Sequence, residues 1–343
     1  MAVLGQTLHT IADLTARLDP DGKVARIGEW LGQTNEWMGF LKWKEGNLPT
    51  GERTTVRTGL PTVYYRGYNQ GVDASKSRVA QIDEGAALLE GKSAVDREIA
   101  KAHGDVGEYR LTEAGAFFES MTQAHATTSF YGNASASPKE FTGLSARYNS
   151  LTGTTGAQII NAGGAGVDMA SIWLVVTGPM GVMGIYPKNT KAGISHIDVT
   201  GGTGKADDGV DIGSYYPDAD GKEFLALIDQ YNLNCGLSVK DPRKAVRIAN
   251  IDRSLLTVDY TTGARLQMLM VEALNRIEGL DSPGHSAAWF MDRNARSFLE
   301  RQLLKDKNPF LGYDKVDGQR QISFGGIPIK RVDALRVNEA AIS

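Results

Sequence analysis

The sequence predicts a mixed α+β protein, and three observations predict it. Runs rich in Thr, Val, Tyr and Ile, punctuated by glycine and proline, recur within 48–80, 169–187 and 223–252 and read as strands. Apolar residues at three- and four-residue steps between 93 and 128, and again from Leu266 to Ile277, read as helices. Forty glycines in 343 residues, about 12% against a usual ~7%, are spread from end to end and call for many turns and close backbone approaches.

From the start of the chain, Leu8, Ile11, Leu14 and Leu18 fall at helical spacing, and Asp19-Pro20-Asp21-Gly22 makes a turn. Trp30, Trp37 and Trp43 follow within fourteen residues. Rings of that size must be buried, against their own domain or against a neighbouring subunit. Residues 48–80 carry two extended runs, Glu52–Thr58 and Thr62–Tyr68, each preceded by a proline, and read as an edge-type hairpin. That stretch holds Arg53, Arg57, Arg66, Lys76 and Arg78 against Glu52 and Asp73, a local charge of +3. Residues 81–128 read as acidic and helical. Nine carboxylates between Asp83 and Glu119, including Asp83, Glu84, Glu90, Glu98 and Glu108, face four Lys/Arg, a local charge of −5. Gly104 and Gly107 interrupt this helix, which is expected to end near Thr128.

The next stretch, FYGNASASPKEFTGLSARY (130–148), reads as an irregular connection holding Phe130, Tyr131, Phe141 and Tyr148. After a Gly-rich loop, MASIWLVVTG and GVMGIYPK read as a buried strand pair around Gly178-Pro179. KEFLALIDQYNLNCGLSV and RKAVRIANID read as further strands, and TGGTGKADDGVDIGSYYPDADG between the two pairs as a surface loop. Leu266 to Ile277 is a helix. Ala287 to Leu304 is expected to be a second one, and QISFGGIPIKRVDAL two short strands.

The bulk numbers exclude several functions. A length of 343 residues fits one large or two interleaved domains. A net charge of −3 does not describe a nucleic-acid binder. Cys235 is the single cysteine, so neither an intrachain disulfide nor a thiolate metal cluster can form. The first residues lack a basic leader followed by an apolar run, and the most apolar run, Met169 to Val176, is too short to span a bilayer, so no membrane association is expected.

No catalytic or metal-binding motif passes inspection. GGTGKADD (201–208) has Lys205 after Gly204, but Val199 replaces the first glycine of a phosphate loop and Ala206 its hydroxyl residue. The histidines His9, His103, His125, His196 and His285 have no metal-ligand spacing, and Asp207, Asp208 and Asp211 lack that of a calcium loop. His196 and Asp198 can share a strand face. His125 lies on an inner helix face as a satisfied structural residue. Neither an enzyme nor a cofactor is expected. A basic, aliphatic-poor hairpin beside an acidic helix instead suggests repeated contacts between copies, of the kind that build closed rings or shells.

Several stretches carry a resemblance. They are LPTG at Leu48–Gly51, FYGN at Phe130–Asn133, EFTGLSARY at Glu140–Tyr148, RKAVRIANID at Arg243–Asp252 and GGIPIKRVDAL at Gly325–Leu335. In order and spacing the chain resembles the major capsid proteins of tailed bacteriophages with the Hong Kong 97-type fold, in the short-tailed-phage group. The resemblance implies an α+β fold with one domain inserted into the other. Residues 1–50 would be an N-terminal arm, 51–92 an extended loop, and 93–150 a peripheral domain with a long spine helix. Residues 151–310 would be mainly an axial domain, with 311–343 returning to the peripheral domain. It further implies self-assembly into hexamers and pentamers of an icosahedral head, built in the bacterial cytoplasm around double-stranded DNA. The implied partners are a separate scaffolding protein, a portal protein and a cement protein, with weak non-specific contact to the DNA. Lys76 lies where some relatives cross-link, but no activating carboxylate is evident, so non-covalent stabilisation is expected. Arg53, Arg57, Arg66, Lys76 and Arg78 would meet a neighbour's acidic helix, and the aromatics would staple the connection to its own domains or to the next subunit. The rival readings are an encapsulin-type compartment, which shares the fold, and a metabolite-binding enzyme using the Gly-rich loops.

Overall fold

A computed structural model describes residues 32–102, 104–200, 210–218, 220–257, 263–280, 282–306, 311–316 and 319–343, with side chains for those outside 306–321. The expected helix at 8–18, the turn after it, Trp30 and the 201–209 loop lie outside the described residues. The chain divides into two interleaved units. One comprises Leu88–Ala124 and Gly193–Asn234 together with Gln33; the other comprises Thr34–Ala87, His125–Ala192 and Cys235–Ser343.

The larger unit is built on β5 (Met169–Thr177), buried along its whole length. Strands β10 (Ala245–Asp252) and β11 (Ser286–Met291) flank it, both antiparallel. Beyond β10 lies β4 (Ile159–Asn161), and beyond β11 lie β14 (Ile327–Arg331), β13 (Gln319–Phe324) and β12 (Leu311–Val316). On the other side, β6 (Val182–Tyr186) pairs with β1 (Trp43–Glu45) and with the end of β9 (Glu223–Val239). The two faces of β5 take different cover, as the period-2 alternation of a strand requires. Ala170, Ile172, Leu174 and Val176 pack under α5 (Leu266–Arg276) and α6 (Arg293–Asp306) through Leu266, Met270, Ala273, Ala295, Leu299 and Leu303. Trp173, on the opposite face, meets Phe130 and Tyr148. A strand buried on both sides reads as an unbroken apolar run, which is why this one was legible.

The smaller unit holds the first part of β9 with β7 (Ile194–Asp198) and β8 (Ser214–Pro217) antiparallel to it. It also holds the later part of β3 (Arg78–Asp96), α2 (Arg97–Ala102) and α3 (Val106–Tyr131) as far as Ala124. Val95, Ala100, Tyr109 and Leu227 form one small core; Ala94, Ala226 and Ile228 form a second.

Five expectations need correction. Residues 81–96 are not helical: β3 pairs antiparallel with β2 (Gly51–Gly59) from Gly51↔Gly85 to Gly59↔Arg78, so Asp83, Glu84 and Glu90 sit on a strand. Acidic composition favoured helix there, but cross-strand pairing with β2 decides the conformation. The run Thr62–Tyr68 is not a strand, and residues 60–77 form the irregular tip of the hairpin. The long helix ends at Tyr131, past Thr128, so Phe130 and Tyr131 belong to its last turn. Its break falls where expected: Gly104, at φ +94°, separates α2 from α3, while Gly107 lies inside α3. Ala287–Met291 opens as strand β11, and the helix begins only at Arg293. A five-residue apolar run does not distinguish helix from strand by periodicity. Ser214–Pro217 adds a strand inside the expected surface loop.

Candidate assembly surfaces

The β2–β3 hairpin emerges from a root where backbones approach closely. A Cβ on Gly51 would lie 2.0 Å from the Glu84 carbonyl oxygen, on one at φ +149°; a Cβ on Gly46 would lie 2.2 Å from the Gly51 oxygen. Glu52 and Glu84 face each other across the two strands and both are buried. Like charges directly opposite destabilise a ladder unless they are compensated. Here Glu52 accepts from Lys44 Nζ at 2.6 Å and lies 3.2 Å from Lys240 Nζ. Arg147 donates to both Glu84 oxygens, with Nη1 2.7 Å from Oε1, and also to the carbonyls of Thr142 and Leu237. Burial would raise the Glu52 carboxyl, but hydrogen bonds from Lys44 and Lys240 outweigh it and hold it below its ordinary value. Two carboxylates and three cations from four chain segments therefore fix the hairpin at its base.

Further out, Arg53 forms a bidentate pair with Asp83 at 2.6 Å, so this arginine is matched within its own hairpin. Arg66 Nη1 donates to the Gln70 carbonyl at 3.3 Å. Among the described residues, Arg57, Lys76 and Arg78 have no carboxylate partner. The tip exposes its apolar side chains: Tyr65 is 109% and Tyr68 100% exposed, with Leu60, Val63, Tyr64 and Val72 also open. No described residue of their own chain covers these groups, and clustered exposure on this scale is typical of interaction surfaces. Sequence reading singled out the basic residues of this stretch and missed the tyrosines. The available signal was VYYRGY between two glycine-flanked runs, read there as a strand. Of the acidic candidates, Glu98 sits on α2 and pairs with its neighbour Arg97 at 2.9 Å, Glu108 lies in the first turn of α3, and Glu90 is on β3.

Of the candidate aromatics among the described residues, Trp37, Phe130, Phe141 and Tyr148 are buried in their own subunit and Trp43 and Tyr131 are partly buried there. Trp37 lies 4.8 Å from both Phe130 and Phe290, and Tyr148 lies 5.7 Å from Trp173. Phe130, Phe141 and Tyr148 are at most 2% exposed. The Tyr148 hydroxyl donates to the Pro242 carbonyl at 2.6 Å. Tyr131 packs under Arg336, hydrogen-bonds Glu339 and accepts from the Arg336 amide. The ring of Trp43 lies 5.5 Å from that of His125. These rings therefore cover their own subunit's surface. Gly132 is required where they meet: a Cβ there would lie 2.4 Å from the Phe141 oxygen and 2.6 Å from that of Thr128.

The remaining polar clusters hold structure. Arg110 pairs with Asp229 at 2.6 Å and with Asp198 at 2.8 Å, and His196 Nε2 lies 2.6 Å from the same Asp229 oxygen while its ring stacks on Tyr231. This matches the shared strand face expected for His196 and Asp198. Burial pushes the Cys235 thiol up to about 12, far from a reactive thiolate. His125 is 1% exposed and, contrary to expectation, neither of its ring nitrogens finds a hydrogen-bond partner. Among the described residues no group of His, Cys, Asp and Glu could hold a metal ion, and no helix is long and apolar enough to cross a membrane.

Comparison with known proteins agrees with this picture. The sequence model of a family described as major capsid protein GP7 matches residues 19–343. The solved structure of bacteriophage Epsilon15 is similar over 100% of this chain and 99% of its own, at 27% identity and a TM-score of 0.75. The capsid of bacteriophage JBD30 is a more distant likeness, 8% identical over 89% of this chain and 92% of that one, with a TM-score of 0.47. No curated protein matches. The chain belongs to the major capsid protein GP7 family: it is a tailed-bacteriophage major capsid protein with the Hong Kong 97-type fold.

Proposed function

We propose that this structural protein of the virion builds its shell by laying the β2–β3 hairpin of each subunit onto the next. The observation that carries this is the hairpin itself, rigid at the root and bare at the tip. Buried ion pairs hold its base, while Tyr64, Tyr65, Tyr68, Leu60 and Val63 stand open to solvent at its end. Burial of those groups supplies most of the affinity, at about 25 cal/mol per Å² of apolar surface covered. Arg57, Arg66, Lys76 and Arg78 set the register against a neighbour's acidic side chains, Glu98 and Glu108 among them. Exposed pairs contribute only about 0–1 kcal/mol each, so repetition over many copies does what one pair does not.

In this reading the subunits form hexamers and pentamers on a separate scaffolding protein in the host cytoplasm. A portal protein takes one vertex, a cement protein reinforces the shell, and the enclosed double-stranded DNA touches the inner surface weakly. The residues 51–92 act as the extended loop and α3 as the spine helix. The protein acts without catalysis: its polar clusters are consumed in ion pairs, and its one cysteine is buried.

The test is assembly of two double variants, Tyr65→Ala with Tyr68→Ala, and Arg57→Glu with Arg66→Glu. Both should fold as wild-type subunits by circular dichroism, and both should fail to give shells by sedimentation and negative-stain microscopy. Shells of normal yield from the tyrosine pair would refute the docking role of the tip. Particles filled with protein cargo and no nucleic acid would favour a compartment shell.

A further inference from the structure

Helix α6 presents two unlike faces. Ala295, Leu299, Gln302 and Leu303 are buried. On the outward side Arg293, Arg296, Ser297, Arg301 and Leu304 recur at three- and four-residue steps, and Arg331 of β14 joins them around an open cavity of about 410 Å³. Two carboxylates share this surface. Glu300 binds Arg296 at 3.2 Å, and Asp333 binds Arg331 at 2.7 Å and Arg293 at 3.4 Å. Asp292 and Glu36 also act on Arg331, and Lys330 pairs with Glu36 at 3.1 Å, so five cations stand against four carboxylates and the positive excess lies on the outward forks, Arg301 above all. Arg301 lies with its guanidinium 5.0 Å over the Phe298 ring, and among the described residues it has no carboxylate partner.

We infer that this arginine face is a contact site for the phosphodiester backbone of double-stranded nucleic acid. Arginine's planar fork matches phosphate oxygens bidentately, and the helix holds the forks in a row. Ser297 adds a hydroxyl donor in the same concavity. The face shows no pattern for reading bases: its exposed groups are guanidinium forks, one hydroxyl and Leu304, so the contact is independent of sequence. This rests on the reading that the shell encloses DNA, and it names the surface that would meet it.

The test uses unassembled full-length subunits and a fluorescent, mixed-sequence DNA duplex, read by anisotropy across a salt series. Wild type should bind weakly, with a slope of log K on log salt of about −1 to −2, one per phosphate that Arg301 and Arg293 neutralise. Arg293→Ala with Arg301→Ala should weaken binding about tenfold or more at low salt and bring the slope toward zero. Arg293→Lys with Arg301→Lys should keep the slope, which separates charge from folding damage. Arg57→Glu with Arg66→Glu, which blocks shell formation, should bind the duplex as wild type does. Unchanged binding in the alanine pair would overturn the inference, as would poly-glutamate displacing the duplex at equal charge, which would mark the face as a site for an acidic protein segment. Shell formation by wild type without any duplex binding defeats this inference and leaves the shell reading intact. Failure of wild type to form shells defeats the shell reading whatever the duplex does.

Discussion

Acid should destabilise the unassembled subunit through one histidine. His125 sits on α3, enclosed by Trp43 and Phe141, with ring centroids 5.5 and 6.0 Å away. Burial disfavours its charged form and lowers its pKa from 6.5 to about 4. Between those values the unfolded chain binds a proton that the folded one refuses, so stability falls as pH drops through this window. The site contributes little loss at pH 7; by pH 4.5 the loss amounts to about 2 kcal/mol, from the two pKa values and linkage. Other groups titrate over the same range, so the variant His125→Leu, close in volume and free of the charge, supplies the reference. Urea denaturation of both proteins at pH 7 and pH 4.5 gives the double difference. Wild type should lose about 2 kcal/mol more than His125→Leu on acidification. At pH 7 the variant should equal or exceed wild type, because it removes two buried nitrogens that lack partners. Equal acid losses in the two proteins would refute the assignment of His125 as a buried neutral group.

Arg147→Ala strips Glu84 of its buried partner and should lower subunit stability by about 3 kcal/mol and abolish shells; urea midpoints and sedimentation read the two effects. Gly132→Ala forces a methyl group against the carbonyls of Phe141 and Thr128, and thermal unfolding should show a loss of about 2–3 kcal/mol. Cys235 should react with a thiol reagent at neutral pH only as fast as the protein unfolds, since its thiol titrates near 12; rapid modification of the native subunit would contradict its burial.

The sequence was most informative where one physical constraint dominated. β5 showed itself because burial on both faces leaves no polar alternation to confuse, and α5 because Leu266, Met270 and Ala273 repeat on one side. The second half of the hairpin was not legible. β3 carries charges and alanines that favour a helix locally, and only its partner β2, registered from residue 51 onward, makes it a strand. The same gap hid which charges and rings of the hairpin stay open. Arg53 and Glu84 looked like free intersubunit charges, yet their partners Asp83 and Arg147 lie 30 and 63 residues away. The tyrosines of the tip were read as part of a strand, because exposure is a property of what the rest of the chain leaves uncovered.

The root of the hairpin has a consequence for the order of events in the cell. Its two facing carboxylates are compensated by lysines and an arginine contributed before the hairpin, after α3, and at the far end of β9. Until Arg147 has been delivered, Glu84 faces Glu52 without its own cation, although Lys44, the strand ladder and the Arg53–Asp83 pair already join this part of the chain. A half-folded subunit therefore carries an uncompensated buried carboxylate at the root of its hairpin. If the tip docks on a neighbour as proposed, a subunit should present it in register only once the body behind it is complete.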